Sequence, residues 1–202
     1  SIFKMSLSII IPLAKDDRAD YLINQLQQFG YETIVVSHDT RAKSLNHGAR
    51  IAKGEYLFFL HSDSSPDISG LRKLLHFLER NTDTMYYHKL KFDRKGLVFL
   101  NALAANFRSH FFSLPYGDQG FCMSKELFIR VGGFSERVPF GEDLHFVLQL
   151  KRLGKNIAEL PFFMTTSARK YQTHGWLRIT LMHQWRFWKI LFDFKFEKCG
   201  KL

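Results

Sequence analysis

Cysteine is scarce: the 202 residues hold two, Cys122 and Cys199, far apart and in no metal-ligand spacing. A disulfide framework and a zinc cluster are therefore not expected, and two free thiols of a reducing compartment are. Repeats and low-complexity tracts are absent as well, which removes solenoid and disordered classes. No linker interrupts the chain, so one domain is expected over 1–202. Long apolar runs are also lacking. The opening "SIFKMSLSIIIPLAKDD" has an apolar core too short for a secretory signal and no small-residue cleavage site. A cytoplasmic protein is the expectation. Acidic residues are under-represented, with 19 Asp and Glu against 29 Lys and Arg and a net charge of +10. The imbalance is uneven: Ala168–Leu202 carries eight Lys/Arg and two Asp/Glu. Such an excess attracts anions, whether nucleic acid, anionic lipid or phosphorylated substrates.

What is present begins with alternation. "SLSIIIPL" reads as a buried strand, "DRADYLINQLQQFG" as a helix with apolar residues at helical spacing, and "ETIVVS" as a second strand. "RAKSLNHGARIAKG" reads as a helix, "EYLFFL" as a third strand and "DISGLRKLLHFLER" as an amphipathic helix. Strands and helices joined by short connections predict a parallel sheet with right-handed crossovers. Ligands then bind beyond the carboxyl ends of the strands, which places Pro12–Lys15, Ser37–Arg41 and His61–Ser65 on one rim. The second half is less regular. A strand is expected at "TMYYHKLKFD" and a helix at "LVFLNALAANFRSHFF". "PYGDQGFCM" reads as a loop running into a strand. A helix capped by Ser124 follows, then a helix opening with Glu142 and Asp143, one or two strands in "NIAELPFFMTTS", and a last long helix.

Four constellations carry chemistry. In "LHSDSS" a buried strand ends in Asp63, a carboxylate that burial disfavours unless something pairs with it. Mg2+ or Mn2+ would pair well and leave positions open for phosphate oxygens, with His61 beside it. The bland alternative is that Asp63 caps the following helix or makes an Asx-turn. Glu142 and Asp143 suit a helix's first turn on dipole grounds alone, and Asp143 also suits a general base near an acceptor hydroxyl. In "YGDQG" glycines flank Asp118 and Gln119, so backbone can approach a ligand and polar side chains can read sugar hydroxyls; a plain turn is the alternative. Ser167, Arg169 and Lys170 in "TTSARK" could hold a diphosphate or form a solvated basic loop.

Taken in order, "SIIIPLAKDD", "RAKSLNHGARIAKGEYLFFLHSDSS", "PYGDQGFCMSKELFIRVGGF" and "GEDLHFVLQLKRLGK" resemble glycosyltransferase family 2. The pattern is most similar to a small bacterial subgroup often labelled arsenosugar-biosynthesis glycosyltransferases. The resemblance runs from Ser6 to about Gln184. It implies an α/β fold: a single GT-A domain, Rossmann-like, with a mostly parallel sheet flanked by helices and a C-terminal amphipathic helix. It also implies a nucleotide-binding half over about 6–80, an acceptor half over about 81–170 and the helix over about 174–196. The implied activity is inverting transfer of a sugar from a nucleotide-diphosphate donor, with a UDP-sugar favoured and Mn2+ or Mg2+ as cofactor. By the resemblance, Pro12 and Ala14 lie under the base, and Arg41 and Asn46 near the nucleoside. Ser62 and Asp63 belong to the donor and metal motif, here H-S-D, with His61 either a second ligand or a packed strand-end residue. Tyr116, Gly117, Asp118 and Gln119 lie near sugar and acceptor, Arg169 helps the leaving diphosphate, and Asp143 with Glu142 is catalytic. The family's longer Asp-rich segment after the second strand is absent, and Asp39 is the candidate remnant of its base or ribose contact. That gap motivates an alternative, a non-catalytic GT-A-like scaffold that has lost donor binding.

"WLRITLMHQWRFWKILFDFKF" holds all three tryptophans with basic residues interleaved and is too charged to span a bilayer. Two placements are open: in the plane of an anionic membrane, as a peripheral contact through 174–196 on the inner face, or packed on the domain or on a second copy in a homodimer. The acceptor is an unidentified small or lipid-linked hydroxyl compound. Nucleic acid is not expected as a partner, because no recognised binding module is present.

Overall fold

The computed structural model describes residues 6–14 and 19–196; Lys15 and Cys199, singled out above, lie outside them. All six residues of β1 (Leu7–Pro12) are buried, and their alternation feeds two cores. Leu7, Ile9 and Ile11 enter one apolar cluster and Ile10 the other. This is the period-two division expected of a strand covered on both faces. Parallel partners flank it: β2 (Glu32–Val36) on one side and β3 (Tyr56–Phe59) on the other. Helix α1 (Asp20–Gln27) and helix α2 (Arg41–Ile51) make the crossovers. Thr40 caps α2, its hydroxyl accepting from Lys43 N at 3.3 Å.

The chain then departs from simple alternation. A three-residue strand, β4 (Ser64–Pro66), precedes α3 (Ile68–Arg80), whose cap is Asp67 and not Asp63. β5 (Thr84–Phe92) and α4 (Val98–Phe112) follow. Next come a single 3-10 turn at Gly117–Gln119 and β6 (Phe121–Ser124). Ser124 caps α5 (Lys125–Val131) as expected, accepting from Leu127 N at 3.1 Å, and α5 stops at Gly132 in the left-handed region. Helix α6 (Glu142–Arg152) leads into β7 (Asn156–Thr166), a short α7 (Arg169–His174) and α8 (Trp176–Phe196).

The seven strands run in the order β2-β1-β3-β6-β5-β7-β4. Pairing is parallel for β1 with β2, β1 with β3 and β5 with β7, and antiparallel for β3 with β6, β5 with β6 and β4 with β7. The sheet is thus α/β and flanked by helices, as expected, but it is mixed. The parallel β1–β3 unit places its strand ends on one rim, and β6 turns the chain back across the middle.

Two contacts fix the helices on this sheet. Ser8 Oγ accepts from Gly54 N at 2.8 Å and donates to Glu32 Oε2 at 2.5 Å, tying the end of the α2 connection to β1 and β2. Gly48 lets α2 lie directly on β1, where a Cβ would stand 2.5 Å from Ile10 Cγ2. Gly48→Val should overpack this contact and lower stability by about 1–3 kcal/mol, read as a lower urea midpoint with an unchanged m-value.

Candidate active site

The carboxyl ends of β1, β2 and β3 open into a cleft of about 680 Å³. Pro12, Leu13 and Ala14 line it from the first strand end, Ser37, His38 and Asp39 from the second, and His61, Ser62 and Asp63 from the third. The side that those strands leave open is closed by Arg169 and Lys170. The short β4 brings them there. Its antiparallel pairing sets Ser64 against Thr166, with Ser64 Oγ 3.0 Å from Thr166 Oγ1, and Ser167 N donates to Asp63 O at 3.1 Å. A basic turn distant in sequence is thereby held over the strand-end carboxylate, and Lys170 Nζ lies 3.9 Å from Asp63 Oδ2.

A second cleft, of about 240 Å³, adjoins the first. Its lining includes Tyr116, Asp118, Glu142 and Asp143, and α8 forms one wall through Ile179, His183, Arg186 and Ile190. Arg41, His61, Asp63 and Lys170 line both clefts.

Arg41 is the centre of this junction. Its Nη2 contacts His61 Nε2, and its Nε lies 3.1 Å from Glu142 Oε1, an ion pair without hydrogen-bond alignment. Burial, with the Arg41 and Lys170 cations adding to it, holds the imidazolium of His61 well below the ordinary histidine range. His61 is therefore the neutral acceptor of a guanidinium N–H. Burial raises Glu142, the neighbouring Asp143 raises it further, and Arg41 opposes both. Asp143 is oriented from both sides: Gly117 N donates to Oδ2 at 2.7 Å and Leu144 N to Oδ1 at 2.8 Å. Gly117 is required here, because a Cβ would fall 2.6 Å from Arg41 Nη2, 2.8 Å from His61 Nε2 and 3.1 Å from Asp143 Oδ2.

Beside Asp143, Asp118 faces the second cleft with Oδ1 lacking any hydrogen-bond partner among the described residues. Burial pushes its carboxyl up to about 6; Arg108 opposes that rise, and Asp143 and Asp63 add to it. Tyr116 has the Arg108 guanidinium 3.7 Å from its ring centroid, and burial lifts its phenol above the usual tyrosine range. Tyr171, stacked on His183 in the same wall, is pushed up to about 12 by burial.

Most residues singled out from the sequence meet here: Pro12, Ala14, Asp39, Arg41, Ser62, Asp63 and Arg169 in the first cleft, and Tyr116, Asp118, Glu142 and Asp143 in the second. Three do not stand as expected. Asn46 faces away from both clefts' linings: its Nδ2 donates to Phe134 O and to Glu136 Oε1, each at 2.9 Å, and its Oδ1 accepts from Phe134 N at 2.9 Å. It clamps the Gly132-Gly133 turn to α2 and does not contact the cleft. Gln119 is wholly buried; its Oε1 accepts from Ser109 Oγ and Tyr116 N, and its Nε2 donates to His88 O. It holds the 3-10 turn and cannot read sugar hydroxyls. His61, expected as a second metal ligand, has Nε2 occupied by Arg41. No cluster of three or more His, Cys, Asp or Glu suited to a metal ion occurs among the described residues.

The wall contributed by α8 was not foreseen. Its signal is the 179, 183, 186, 190 spacing, one face of a helix.

The α/β fold, a mixed sheet flanked by helices, is similar to that of GT-A glycosyltransferase structures. The glycosyl transferase family 2 model matches residues 9–135, more than half of the chain, and the chain belongs to that family. A curated relative, an uncharacterized glycosyltransferase of Haemophilus influenzae, is 27% identical over 135 residues, covering 61% of this chain and 46% of that protein. Among solved structures, the mannosyltransferase PcManGT from Pyrobaculum calidifontis in complex with GDP-Man and Mn2+ has a TM-score of 0.57 at 16% identity, over 84% of this chain and 59% of that one. S. aureus TarS 1-349 has a TM-score of 0.55 at 16% identity, over 81% and 60%. GalNAc-T7 with UDP, GalNAc and Mn2+ has a TM-score of 0.53 at 10% identity, over 81% and 44%. At these identities the likeness is one of fold. The chain spans about half the length of these relatives.

The raised Asp118 carboxyl makes a stability prediction. Below its ordinary value of 3.8 the group is protonated whether folded or unfolded, and burial costs nothing extra. Between 3.8 and about 6 the folded group keeps a proton that the unfolded one releases, so stability falls as pH rises. Asp118→Asn should remove that fall. Thermal unfolding should show a variant more stable than the native chain near neutral pH by on the order of 1–3 kcal/mol, with the difference vanishing in acid.

Proposed function

We propose that the chain transfers a sugar from a nucleotide-diphosphate donor, with a UDP-sugar favoured, to a hydroxyl acceptor with inversion at the anomeric carbon. The observation that carries this reading is the sharing of Arg41, His61, Asp63 and Lys170 between the two clefts. A basic cleft sized for a nucleotide sugar meets, at those residues, a second cleft that contains an oriented carboxylate. The first cleft keeps a volume of about 680 Å³ despite the short connection after Ser37, which supports an enzyme over a scaffold without a donor pocket.

In this reading the base lies against Pro12 and Ala14, with Asp39 on the exposed rim. The diphosphate lies among Arg169, Lys170 and Asp63. The acceptor hydroxyl enters the second cleft beside Asp143. Its oxygen attacks the anomeric carbon as the bond to the β-phosphate oxygen breaks. The proton passes to Asp143, and the leaving diphosphate takes the bonding electrons. The Arg41, Arg169 and Lys170 cations favour the charge that develops on it. Gly117 N and Leu144 N fix the Asp143 carboxylate in place, which limits the reorganisation needed at the transition state. Arg41 and Glu142 position the junction.

The residues fit a divalent cation in one respect. Asp63 is a hard carboxylate common to both clefts, and such ions are held by one or two carboxylates with substrate phosphates and water completing the shell. A bound Mn2+ or Mg2+ would neutralise phosphate charge there. His61 would not join it through Nε2, which Arg41 occupies.

Asp143→Asn should lower nucleotide release from a panel of UDP- and GDP-sugars, assayed with a cell lipid extract as acceptor source, by about 10²–10⁴-fold. The Kd for the free nucleotide should stay within about twofold, because Asp143 acts on the acceptor side. Release at the native rate would remove Asp143 as the base.

A further inference from the structure

Two helices carry large apolar side chains that are exposed, although Trp185 also has the Phe140 ring 6.0 Å away. On α4 these are Phe99, Leu103, Phe107 and Phe111, spaced four apart. On α8 they are Leu177, Leu181, Trp185, Trp188 and Phe192, spaced four, four, three and four apart. Each set is one stripe of a helix. Exposure is high: 65% for Phe111 and 66% for Trp188. The helices lie side by side and run in the same sense. Early in both, Asn101 Nδ2 donates to Thr180 Oγ1 at 3.0 Å and Trp176 Nε1 donates to Asn101 Oδ1 at 2.5 Å. Two turns on, the Arg108 guanidinium lies 5.9 Å from the Phe187 ring centroid. With α4 turned inward through Ala102, Ala105 and Ser109 and α8 through Ile179 and the cleft-lining side chains, the two stripes fall on the same outer side.

Cations outnumber acids along these two helices, although Lys189 Nζ is paired with Asp193 Oδ2 at 3.1 Å and His110 Nδ1 lies 3.7 Å from Glu159 Oε1. No Asp or Glu occurs from Arg94 through Gly117, and from Ala168 through Phe196 Asp193 is the single acid against six Lys and Arg. Arg178 and Lys189 are exposed along one edge of the α8 stripe. A second copy of the chain would bring the same positive rim against this one, which disfavours self-association. No helix of the described residues is long and apolar enough to cross a membrane. Aromatic and aliphatic side chains in a plane, rimmed by cations and nearly free of acids, match the interface of an anionic bilayer, where rings enter the headgroup layer and cations meet phosphates.

We propose that the outer face of α4 and α8 docks the chain on an anionic lipid surface. The docking does not depend on the transfer reaction. It places α8 with its apolar stripe on lipid and its opposite side, through His183, Arg186 and Ile190, on the second cleft.

The test uses the full chain without nucleotide. Vesicles of phosphatidylcholine alone are compared with vesicles of phosphatidylcholine mixed with phosphatidylglycerol, by co-sedimentation and by tryptophan emission. All three tryptophans lie on α8, so docking should shift emission to the blue on the anionic vesicles, and brominated lipid should quench it. Phe107→Ser with Trp188→Ser, at exposed positions, should keep the native circular dichroism and lose vesicle binding at least tenfold. Arg178→Gln with Lys189→Gln should weaken binding to anionic vesicles by about tenfold or more. Three results would overturn the proposal: no sedimentation with anionic vesicles and no quenching, binding unchanged in both variants, or a stable dimer in solution that shields the α8 tryptophans from a soluble quencher.

Discussion

The guanidinium of Arg41 is the contact on which the site depends. It begins α2, at the carboxyl end of β2, yet its partners come from elsewhere: His61 from the end of β3 and Glu142 from the first turn of α6. A cation so placed between a neutral imidazole and a buried carboxylate is compensated on both sides, which is the condition for keeping the carboxylate's charge away from water. Gly117 passes within a Cβ's reach of the same group, so the 3-10 turn is locked to this point as well. Removing Arg41 would leave Glu142 beside Asp143 with no cation between the halves. The two clefts would then lose one of the four residues that line both.

The sheet explains why these groups converge. Parallel β1, β2 and β3 deliver their loops to one rim, and β6 returns antiparallel between β3 and β5. β7 then runs back parallel to β5 and ends against β4. Its last residues pair with the three that follow Asp63, so the cations of α7 close the cleft that the first three strands leave open. The position of the α7 cations follows from backbone pairing, and the orientation of Asp143 follows from two N–H groups.

Much of this was legible in the chain. Buried runs such as Ile9–Ile11 and Leu57–Phe59 read as buried strands, the helices between them follow from apolar spacing, and the cap at Ser124 marks the start of α5. The clefts' carboxylates and cations were singled out by their places at strand ends and helix starts, although each also had an ordinary structural use there. Polar side chains with many uses were not legible. Asn46 and Gln119 carry the same donors and acceptors whether they hold a sugar or a backbone turn, and here both hold turns. β4 was invisible because three residues of Ser-Ser-Pro have no apolar period; the strand exists only through its partner. The antiparallel pairings depend on contacts distant in sequence, which no local pattern records. The outward stripe of α4 was hidden for a related reason, since apolar residues on a helix look alike until the sheet has taken one side of it.

The central claim is that Asp63 and the cations of α7 form a working donor site. Calorimetric titration of UDP and then GDP, with and without Mn2+, into the native chain and into Asp63→Ala tests it most directly. The account predicts metal-dependent binding of one nucleotide to the native chain and its loss in the variant. Absence of binding by either nucleotide, or binding unaffected by Asp63→Ala, would contradict it.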